Sequence, residues 1–472
     1  MAVSREILNE FLLSQHVVFI QGAMTKKKTA VIILAAGLGT RMKSAKPKVL
    51  HELAGRPMIL HLLDTVRGLN PERVACVIGA DMDAVRDAVT PVSCVIQNER
   101  LGTGHAVLAA KEAMAGFEGD ILILYGDSPL ISDEALAALL AARAAGNAVA
   151  VLGFDTDEPG AYGRLITTED DALEAIVEAK DATPEQAAVT FCNSGVMAID
   201  STVLWSLLER VGNDNAKSEY YLTDIIALAR QDGLSCAAIE GDEYELVGIN
   251  DRIELALAET LVQTHLRLQM MEGGATLIDP ETVYFCHDTN IGQDVVIAPH
   301  VVFGPGVDIE DNVEIRAYCH IEAAHVQSGA IIGPFARLRP GAEIGPDVHI
   351  GNFVEVKNAV IEEGAKANHL SYIGDARVGK GANIGAGTIT CNYDGYFKTH
   401  TDIGAGAFIG SNTALVAPVT VGDGASIGAG SVITKDVAPD ALALERAEQK
   451  EVKGAAKKIR ERKAAQKAKQ QK

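Results

Sequence analysis

A change in hydrophobic period divides the chain. Between residues 30 and about 250, short apolar runs alternate with longer segments of helical spacing. Residues 30–34, 74–78, 94–96, 121–124, 148–152 and 189–191 read as strands, and DEALAALLAARAA as a helix between two of them. This alternation predicts a doubly wound, Rossmann-like α/β sheet. Residues 252–271 keep helical spacing without Gly or Pro and read as a connecting helix. The period then becomes six. Aliphatic or equivalent residues fall at Ile291, Ile297, Phe303, Ile309, Ile315 and Ile321, and after one short step at Ile332, Leu338, Ile344, Ile350 and Val356. They continue at Ile361, Ala367, Ile373, Val378 and Ile384, and again from Ile403 through Ile409, Leu415, Val421 and Ile427 to Ile433. Such hexads predict a parallel β-helix of roughly eight coils, each inward residue closing one short strand. The expected division is therefore an extension at 1–23, an α/β domain at 24–251, a helix at 252–272, a solenoid at 273–445 and a basic tail at 446–472.

Composition changes this picture in few places. With 48% apolar and 22% charged residues among 472, the chain can bury large cores. The net charge is −21, but residues 446–472 hold 11 basic and 3 acidic side chains, so the preceding body stands at −29. That body disfavours nucleic acid and anionic membranes as partners, and a phosphorylated ligand must be met by a few local cations. The seven cysteines are scattered and never spaced CxxC, which suits a reducing cytoplasm better than a disulfide framework or zinc cage. No apolar run reaches the length of a membrane span. Residues 1–23 lack a signal-peptide pattern and read as a loosely ordered extension. The Ala/Lys/Gln-rich tail reads as solvated, partly helical or disordered.

The first candidate chemistry lies in AVIILAAGLGTRM, read as a strand entering a glycine loop and then a helix, a junction that offers backbone N–H groups to an anion. A dinucleotide fingerprint fails, because Met42 stands where the third glycine belongs, and no Gly-Lys-Ser/Thr completes a Walker loop. What remains is a glycine loop with two cations, Arg41 and Lys48, which suits a triphosphate; a surface turn with a solvated lysine is the plain alternative. Asp127, at the end of the strand in ILILYGDSPL, is placed to hold a divalent ion against phosphate or to serve as a turn or helix cap.

In the solenoid, His369 follows the inward Ala367 by two residues. An imidazole there can take a proton from a nucleophile, with a purely structural histidine on a repeat turn as the plain alternative; His300, His320, His325 and His349 in the same solenoid are the comparison. Arg339 and Lys357 add cations on neighbouring coils. The hexad register fails between Ile384 and Ile403, where CNYDGYFKTHTD reads as an irregular rung or protruding loop. A solenoid serving only as an oligomerisation stem is the alternative.

Taken in order, LAAGLGTRM, PKVLHELAGRPMILH, QNERLGTGHA, LYGDSPL, AYGRL, IVEAKDAT and FCNSG resemble the sugar-1-phosphate nucleotidyltransferases, specifically uridylyltransferases acting on N-acetylglucosamine 1-phosphate. RLRPGAEIG, GNFVEVKNAV, NHLSYIGDA, NIGAGTITCNYDG, FIGSN and LVAPVTVG resemble the acetyltransferase half of the same bifunctional enzymes. The resemblance implies that Leu34, Ala35, Ala36 and Gly37 line the nucleotide, that Arg41 and Lys48 act catalytically on its phosphates, and that Gln97, Gly102 and Thr103 read uracil. Tyr125 would lie beside the nucleotide, Gly163, Glu178 and Asn193 would hold the sugar, and Asp127 with Asn250 would carry Mg²⁺. Ser194 departs from an expected threonine but keeps the hydroxyl. In the second half the resemblance implies His369 as general base, with Arg339, Lys357, Tyr372 and Asn383 on the amino-sugar phosphate. Ala386, Ser411, Ala429 and Arg446 would contact coenzyme A, and Asn392 with Tyr393 would line the transfer site. It further implies a left-handed β-helix, a homotrimer, and UTP and acetyl-CoA as co-substrates with glucosamine 1-phosphate and N-acetylglucosamine 1-phosphate. A pyrophosphorylase for another sugar with a mute solenoid, or a non-enzymatic nucleotide-sensing or scaffold subunit, are the competing readings.

Overall fold

The computed structural model describes residues 28–168 and 172–470, so the expectation for residues 1–23 lies outside the described residues. Two compact units are present: 28–51 with Pro57–Leu255, and Glu52–Arg56 with 256–470. Residues 52–56, expected in the α/β domain, thus cluster with the second unit. The reason is local: the Ala54 N–H donates to Glu259 Oε2 at 2.8 Å, and the Ala54 carbonyl accepts from the His287 N–H at 2.9 Å.

The first unit is built on nine strands: β1 (Thr29–Leu34), β2 (Arg73–Gly79), β3 (Ser93–Gln97), β4 (Asp120–Tyr125), β5 (Val149–Asp155), β6 (Arg164–Thr167), β7 (Leu173–Val177), β8 (Phe191–Asp200) and β9 (Cys236–Glu240). The main path runs β9-β5-β8-β4-β1-β2-β3, with β6 and β7 beside it. β1 is fully buried. Ala30, Ile32 and Leu34 enter one core while Val31 and Ile33 enter the other, so helices on both faces demand the unbroken apolar run that the sequence displays. The helix Asp133–Ala144 forms where expected, with the Ser132 side chain accepting from the Ala135 N–H at 3.2 Å.

Three expectations need correction. The strand read at 189–191 is only the threshold of β8, which runs ten residues and pairs antiparallel with β4 and β5. β6, β7 and β9 escaped the sequence reading. The glycine loop does not enter an α-helix: single 3₁₀ turns at Thr40–Met42 and Lys48–Leu50 follow it, and the next α-helix is Met58–Gly68. Lys43 and Gly39 are both left-handed there, and Pro47 is followed by only one turn, so no helix propagates.

In the second unit the helix Arg252–Glu272 buries Leu266 and Met270 against the first coil of a parallel β-helix. Gln263 exchanges both amide hydrogen bonds with the Phe285 backbone, at 2.7 and 2.9 Å, which satisfies the backbone polar groups of that buried residue. One face of the solenoid carries ten parallel strands, from Thr276–Leu277 to Leu442–Ala443. Every inward residue named from the hexad pattern lies in the core, Ile291 partly so. The core also takes a second row two residues earlier, including Val295, Val301, Val307 and Val313, which the six-residue count did not distinguish. The short step after Ile321 is filled by the buried Val326. The register failure after Ile384 is partial: Ile389–Cys391 continues the ladder with Thr390 inward, and only then does the loop protrude. The tail forms an exposed helix, Ala455–Gln470.

Candidate active sites in the two units

β1 and β4 are parallel neighbours, and the crossover from β3 to β4 reverses the order of winding between them. Loops leaving their carboxyl ends therefore face a crevice, the usual ligand site of such sheets. The glycine loop leaves β1 and Asp127 follows β4, tied together by the Gly126 N–H donating to the Leu34 carbonyl at 3.0 Å. Gly39 is required here: its φ is +60°, and a Cβ would stand 2.6 Å from Lys48 Cβ. The loop thus packs directly on the stem of Lys48. The Lys48 ammonium binds the Asp127 carboxylate and lies 3.1 Å from Asn250 Oδ1, with the Lys48 and Asp127 side chains 13% and 18% exposed. Asn250 is held by its Nδ2 donating to the Gly248 carbonyl at 2.9 Å, and the Ile249 N–H donates to the Asp127 carbonyl at 2.8 Å. Arg41 is exposed, and after the backbone N–H groups of Glu254 and Ile253 its charge helps hold the Asp251 carboxyl below the usual range.

Leu34, Ala35 and Ala36 form a buried floor, and a side chain at Gly37 would meet only open space. Arg100, which the sequence reading passed over inside QNERLGTG, braces this floor by donating to the Ala36 carbonyl at 2.7 Å while its other end meets Asp81 at 2.5 Å. Gln97 ends β3, is buried, and donates to the Gly102 carbonyl at 3.2 Å. Gly102, at φ +113°, approaches the Tyr220 backbone too closely for any Cβ, and the next residue, Thr103, accepts from the Leu222 N–H at 3.0 Å. Tyr125 packs against Gly195. Burial, with Glu178 and Asp127 nearby, pushes its hydroxyl well above the ordinary range.

Asn193 sits where β8 bulges against β5, between Asn193 and Met197. A bulge re-aims side chains, and its N–H donates to the Gly163 carbonyl at 2.8 Å. The Ser194 hydroxyl donates to the Leu152 carbonyl at 2.7 Å, a backbone role that a threonine hydroxyl serves as well. Burial raises the Glu178 carboxyl above the usual range, opposed by Lys217 and by the Thr223 hydroxyl at 3.3 Å.

On the solenoid, the corner three residues after the inward positions Ile297 to Ala367 of the ten-stranded face is left-handed: His300, Tyr318, Phe335, Phe353 and Leu370 have φ from +50° to +63°. His300, Tyr318, Phe335 and Phe353 stack with ring centroids 4.8–5.1 Å apart. Beyond Leu370 the same corner carries Gly387, Asn412 and Gly430, so the aromatic cover stops. His369 lies on this corner, exposed, paired in the ladder with Asn352, and its Nδ1 is 2.8 Å from Asn352 Oδ1. With the Asn352 amide oxygen as acceptor, Nδ1 is the donor, and in the neutral imidazole this arrangement leaves the Nε2 lone pair free. Ala386, Ser411 and Ala429 follow on successive coils, which puts Ala429 three coils and about 14 Å from His369 at about 4.8 Å per strand. Arg446 lies past the last strand, its guanidinium donating to the Ala429 carbonyl at 2.8 Å.

Arg339 and Lys357 occupy equivalent positions on adjacent coils, next to Leu338 and Val356 of one ladder. Arg339 pairs with Glu355 at 2.8 Å. Contact with Lys398, unnoticed in the sequence, holds the Lys357 ammonium below the ordinary lysine range, so three cations gather here. Lys398 comes from the protruding loop, a small hairpin whose Asp394 Oδ1 accepts from the Tyr396 and Phe397 N–H groups at 2.8 and 2.7 Å. Asn392 anchors the hairpin by donating to Asp375. Burial works against ionisation of Asp375, but Asn358, Asn392, Lys398 and Lys357 outweigh it and hold its carboxyl below the usual range. Asn392 also reaches the Tyr372 hydroxyl at 3.5 Å, and Tyr393 projects beside it, its hydroxyl donating to the Gly395 carbonyl at 2.6 Å. Asn383 stands half-buried one coil beyond Lys366, on the ten-stranded face. A groove lined by Gln327, Glu343, Pro346, Glu362, Glu363 and Lys380 lies on another corner and includes none of these residues.

The MobA-like NTP transferase domain family matches residues 31–191, and the bacterial transferase hexapeptide family matches residues 288–323, 323–358 and 400–435. The bifunctional protein GlmU of Paramagnetospirillum magneticum is 63% identical over 448 residues, which cover 94% of this chain and 100% of that protein. The chain belongs to the GlmU family. The bifunctional protein GlmU of Rhodospirillum rubrum is 62% identical over 421 residues, 89% of this chain and 94% of its own. A solved UDP-glucose pyrophosphorylase complexed with UDP-glucose covers 50% of this chain at 17% identity and a TM-score of 0.42. GlmU membership makes the chain a multifunctional transferase, with a nucleotidyltransferase half acting on nucleotide substrates and a hexapeptide acyltransferase half.

Proposed function

We infer that the chain carries out two successive steps of UDP-N-acetylglucosamine synthesis. Glucosamine 1-phosphate is acetylated from acetyl-CoA on the solenoid, and the product is uridylylated by UTP on the α/β unit with release of pyrophosphate. The observation that carries the reading is the Lys48 ammonium held between Asp127 and Asn250 at the crevice beside the glycine loop.

In the nucleotidyl step the attacking sugar-phosphate oxygen is already anionic, so no general base is needed. A bond forms from that oxygen to the α-phosphorus while the bond to pyrophosphate breaks. Leu34 to Gly37 present the nucleotide-facing floor, Gln97, Gly102 and Thr103 read the uracil edge, and Tyr125 walls the site. Arg41 and Lys48 neutralise the phosphates, and Gly163, Glu178 and Asn193 orient the sugar. Asp127 and Asn250 supply hard oxygen donors that converge on one cation, the lysine nitrogen, and such a donor set suits Mg²⁺. When bound, that ion supplies charge neutralisation at the phosphates.

In the acetyl step, His369 Nε2 takes the proton of the amino sugar as its nitrogen attacks the thioester carbonyl, and the coenzyme thiolate departs. Arg339, Lys357 and Tyr372 hold the sugar phosphate, with Asn383 at its edge. The bare corner past His369, with Ala386, Ser411, Ala429 and Arg446, supports a linear seat for coenzyme A, and Asn392 with Tyr393 borders the transfer point. The exposed aromatic stack, with Tyr318, Phe335 and Phe353 between 44% and 55% exposed, supports self-association of the solenoid as a homotrimer. Seven unpaired cysteines support a cytoplasmic setting; no helix among the described residues is long and apolar enough to cross a membrane.

The test supplies glucosamine 1-phosphate, acetyl-CoA, UTP and Mg²⁺, omitting one at a time. UDP-N-acetylglucosamine is expected only from the complete mixture, with free thiol appearing without UTP. His369→Ala should abolish thiol release and spare uridylyl transfer to N-acetylglucosamine 1-phosphate, and Asp127→Ala the reverse. Loss of both activities in either variant would refute two independent centres.

A further inference from the structure

Cys286, His287 and Asp288 are consecutive, yet their donor atoms converge within 4.8 Å of one another. A tight turn brings this about. The Cys286 N–H donates to Thr289 Oγ1 at 3.1 Å and the Thr289 N–H returns to the Cys286 carbonyl at 3.2 Å, so the intervening side chains share one side. His287 Nδ1 lies 3.5 Å from Cys286 Sγ and 3.9 Å from Asp288 Oδ1. The other carboxylate oxygen of Asp288 accepts from the Gly306 N–H at 2.9 Å, which turns Oδ1 toward the imidazole. Gly55 presses the thiol from behind: a Cβ there would stand 2.6 Å from Sγ.

Metal–ligand lengths of about 2.3 Å for sulfur and about 2.0–2.2 Å for nitrogen and oxygen give tetrahedral edges of about 3.6 Å between S and N and about 3.4 Å between N and O. The observed 3.5 and 3.9 Å are near those edges, and the part-exposed Asp288 side chain can close the rest by a small rotation. We propose that Cys286, His287 and Asp288 form a binding site for a zinc-type divalent ion, with the fourth position open to solvent. A thiolate, an imidazole and a carboxylate select a borderline-soft ion over Mg²⁺, so the site is chemically separate from the all-oxygen pair of Asp127 and Asn250. Binding forms a metal–sulfur bond and releases the thiol proton to solvent, so the Ala54 carbonyl, now 3.1 Å from that thiol, loses one donor and keeps the His287 N–H. The ion would clamp the first coil at the turn that also engages residues 54 and 55.

The full-length chain, treated with chelator and then titrated with Co²⁺, should take up one equivalent with sulfur-to-cobalt charge-transfer absorption and tetrahedral visible bands, displaced by Zn²⁺ but not by excess Mg²⁺. Cys286→Ser should abolish the sulfur band. His287→Gln, a part-exposed change that leaves the buried thiol in place, should weaken Zn²⁺ binding about tenfold or more, with uridylyl transfer in Mg²⁺ unchanged. A sulfur band persisting in Cys286→Ser, unchanged Zn²⁺ affinity in His287→Gln, or absence of that band in the unsubstituted chain would overturn the proposal.

Discussion

Asn352 offers the sharpest test of how His369 is prepared. Its amide oxygen, one coil away, is 2.8 Å from Nδ1 and is the only partner recorded for the imidazole among the described residues. Asn352→Ala removes an acceptor at an exposed site, where one hydrogen bond contributes about 0.5–1.5 kcal/mol, equivalent to about 2- to 12-fold in the population of the oriented tautomer. The kcat for acetyl transfer should fall by that factor with the KM for glucosamine 1-phosphate unmoved, whereas His369→Ala should lose about 10²- to 10⁴-fold. Asn352→Asp tests the same contact with the opposite sign. A carboxylate there favours the imidazolium, so the free base persists only at higher pH, and the acid limb of kcat/KM should move up by about one pH unit. Thiol release followed across pH 5 to 9, with uridylyl transfer as an internal control for folding, reads both effects. An unchanged kcat in Asn352→Ala, or an acid limb that stays put in Asn352→Asp, would refute the positioning role.

Three further outcomes follow from particular contacts. Burial lifts the Glu178 carboxyl, so the folded chain holds its proton to higher pH than the unfolded chain. Its contribution to stability therefore falls as pH rises from the ordinary carboxylate range through the raised value, and Glu178→Gln should flatten that slope in denaturation curves while raising the KM for N-acetylglucosamine 1-phosphate. Thr390 Oγ1 accepts from the Gly374 N–H at 2.8 Å and donates to the Gly374 carbonyl at 3.0 Å inside the solenoid. Thr390→Val keeps the shape but orphans that N–H, and chemical denaturation should register a loss of about 1–3 kcal/mol. Gly39→Ala places a Cβ against Lys48 in a left-handed turn, so uridylyl transfer should fall about tenfold or more with acetylation intact.

The solenoid was legible because its core demands one aliphatic residue per hexad, and each such residue is covered by the coils above and below. The second buried row was not, since Val, Ala, Cys, Ser and Thr all fit it and no single residue type marks the period. In the α/β unit, strands buried on both faces announce themselves as unbroken apolar runs. β6, β7 and β9 are short or mixed, lie at the margins of the sheet, and carry no such run. The helix expected after the glycine loop failed for a conformational reason: Gly39 and Lys43 both take left-handed angles, and the loop folds back to pack on Lys48.

Site residues divide along the same physical line. Candidates contained in a contiguous motif, such as Asp127, Lys48 and His369, are legible as candidates because their motif travels with them. Their partners are not, because a ladder rather than a motif sets them: Asn352 meets His369 only because a coil near it takes 17 residues, and Lys398 meets Lys357 only because a hairpin inserts after Thr390. Counting one coil back from His369 would have found Asn352, since parallel coils place equivalent residues about 4.8 Å apart. No such count reaches Arg100, whose guanidinium spans from the Ala36 carbonyl to Asp81 across two loops of the sheet edge. Where repeat geometry governs, partner residues follow by arithmetic from one known position. Where loops converge on a sheet edge, only the tertiary fold brings them together.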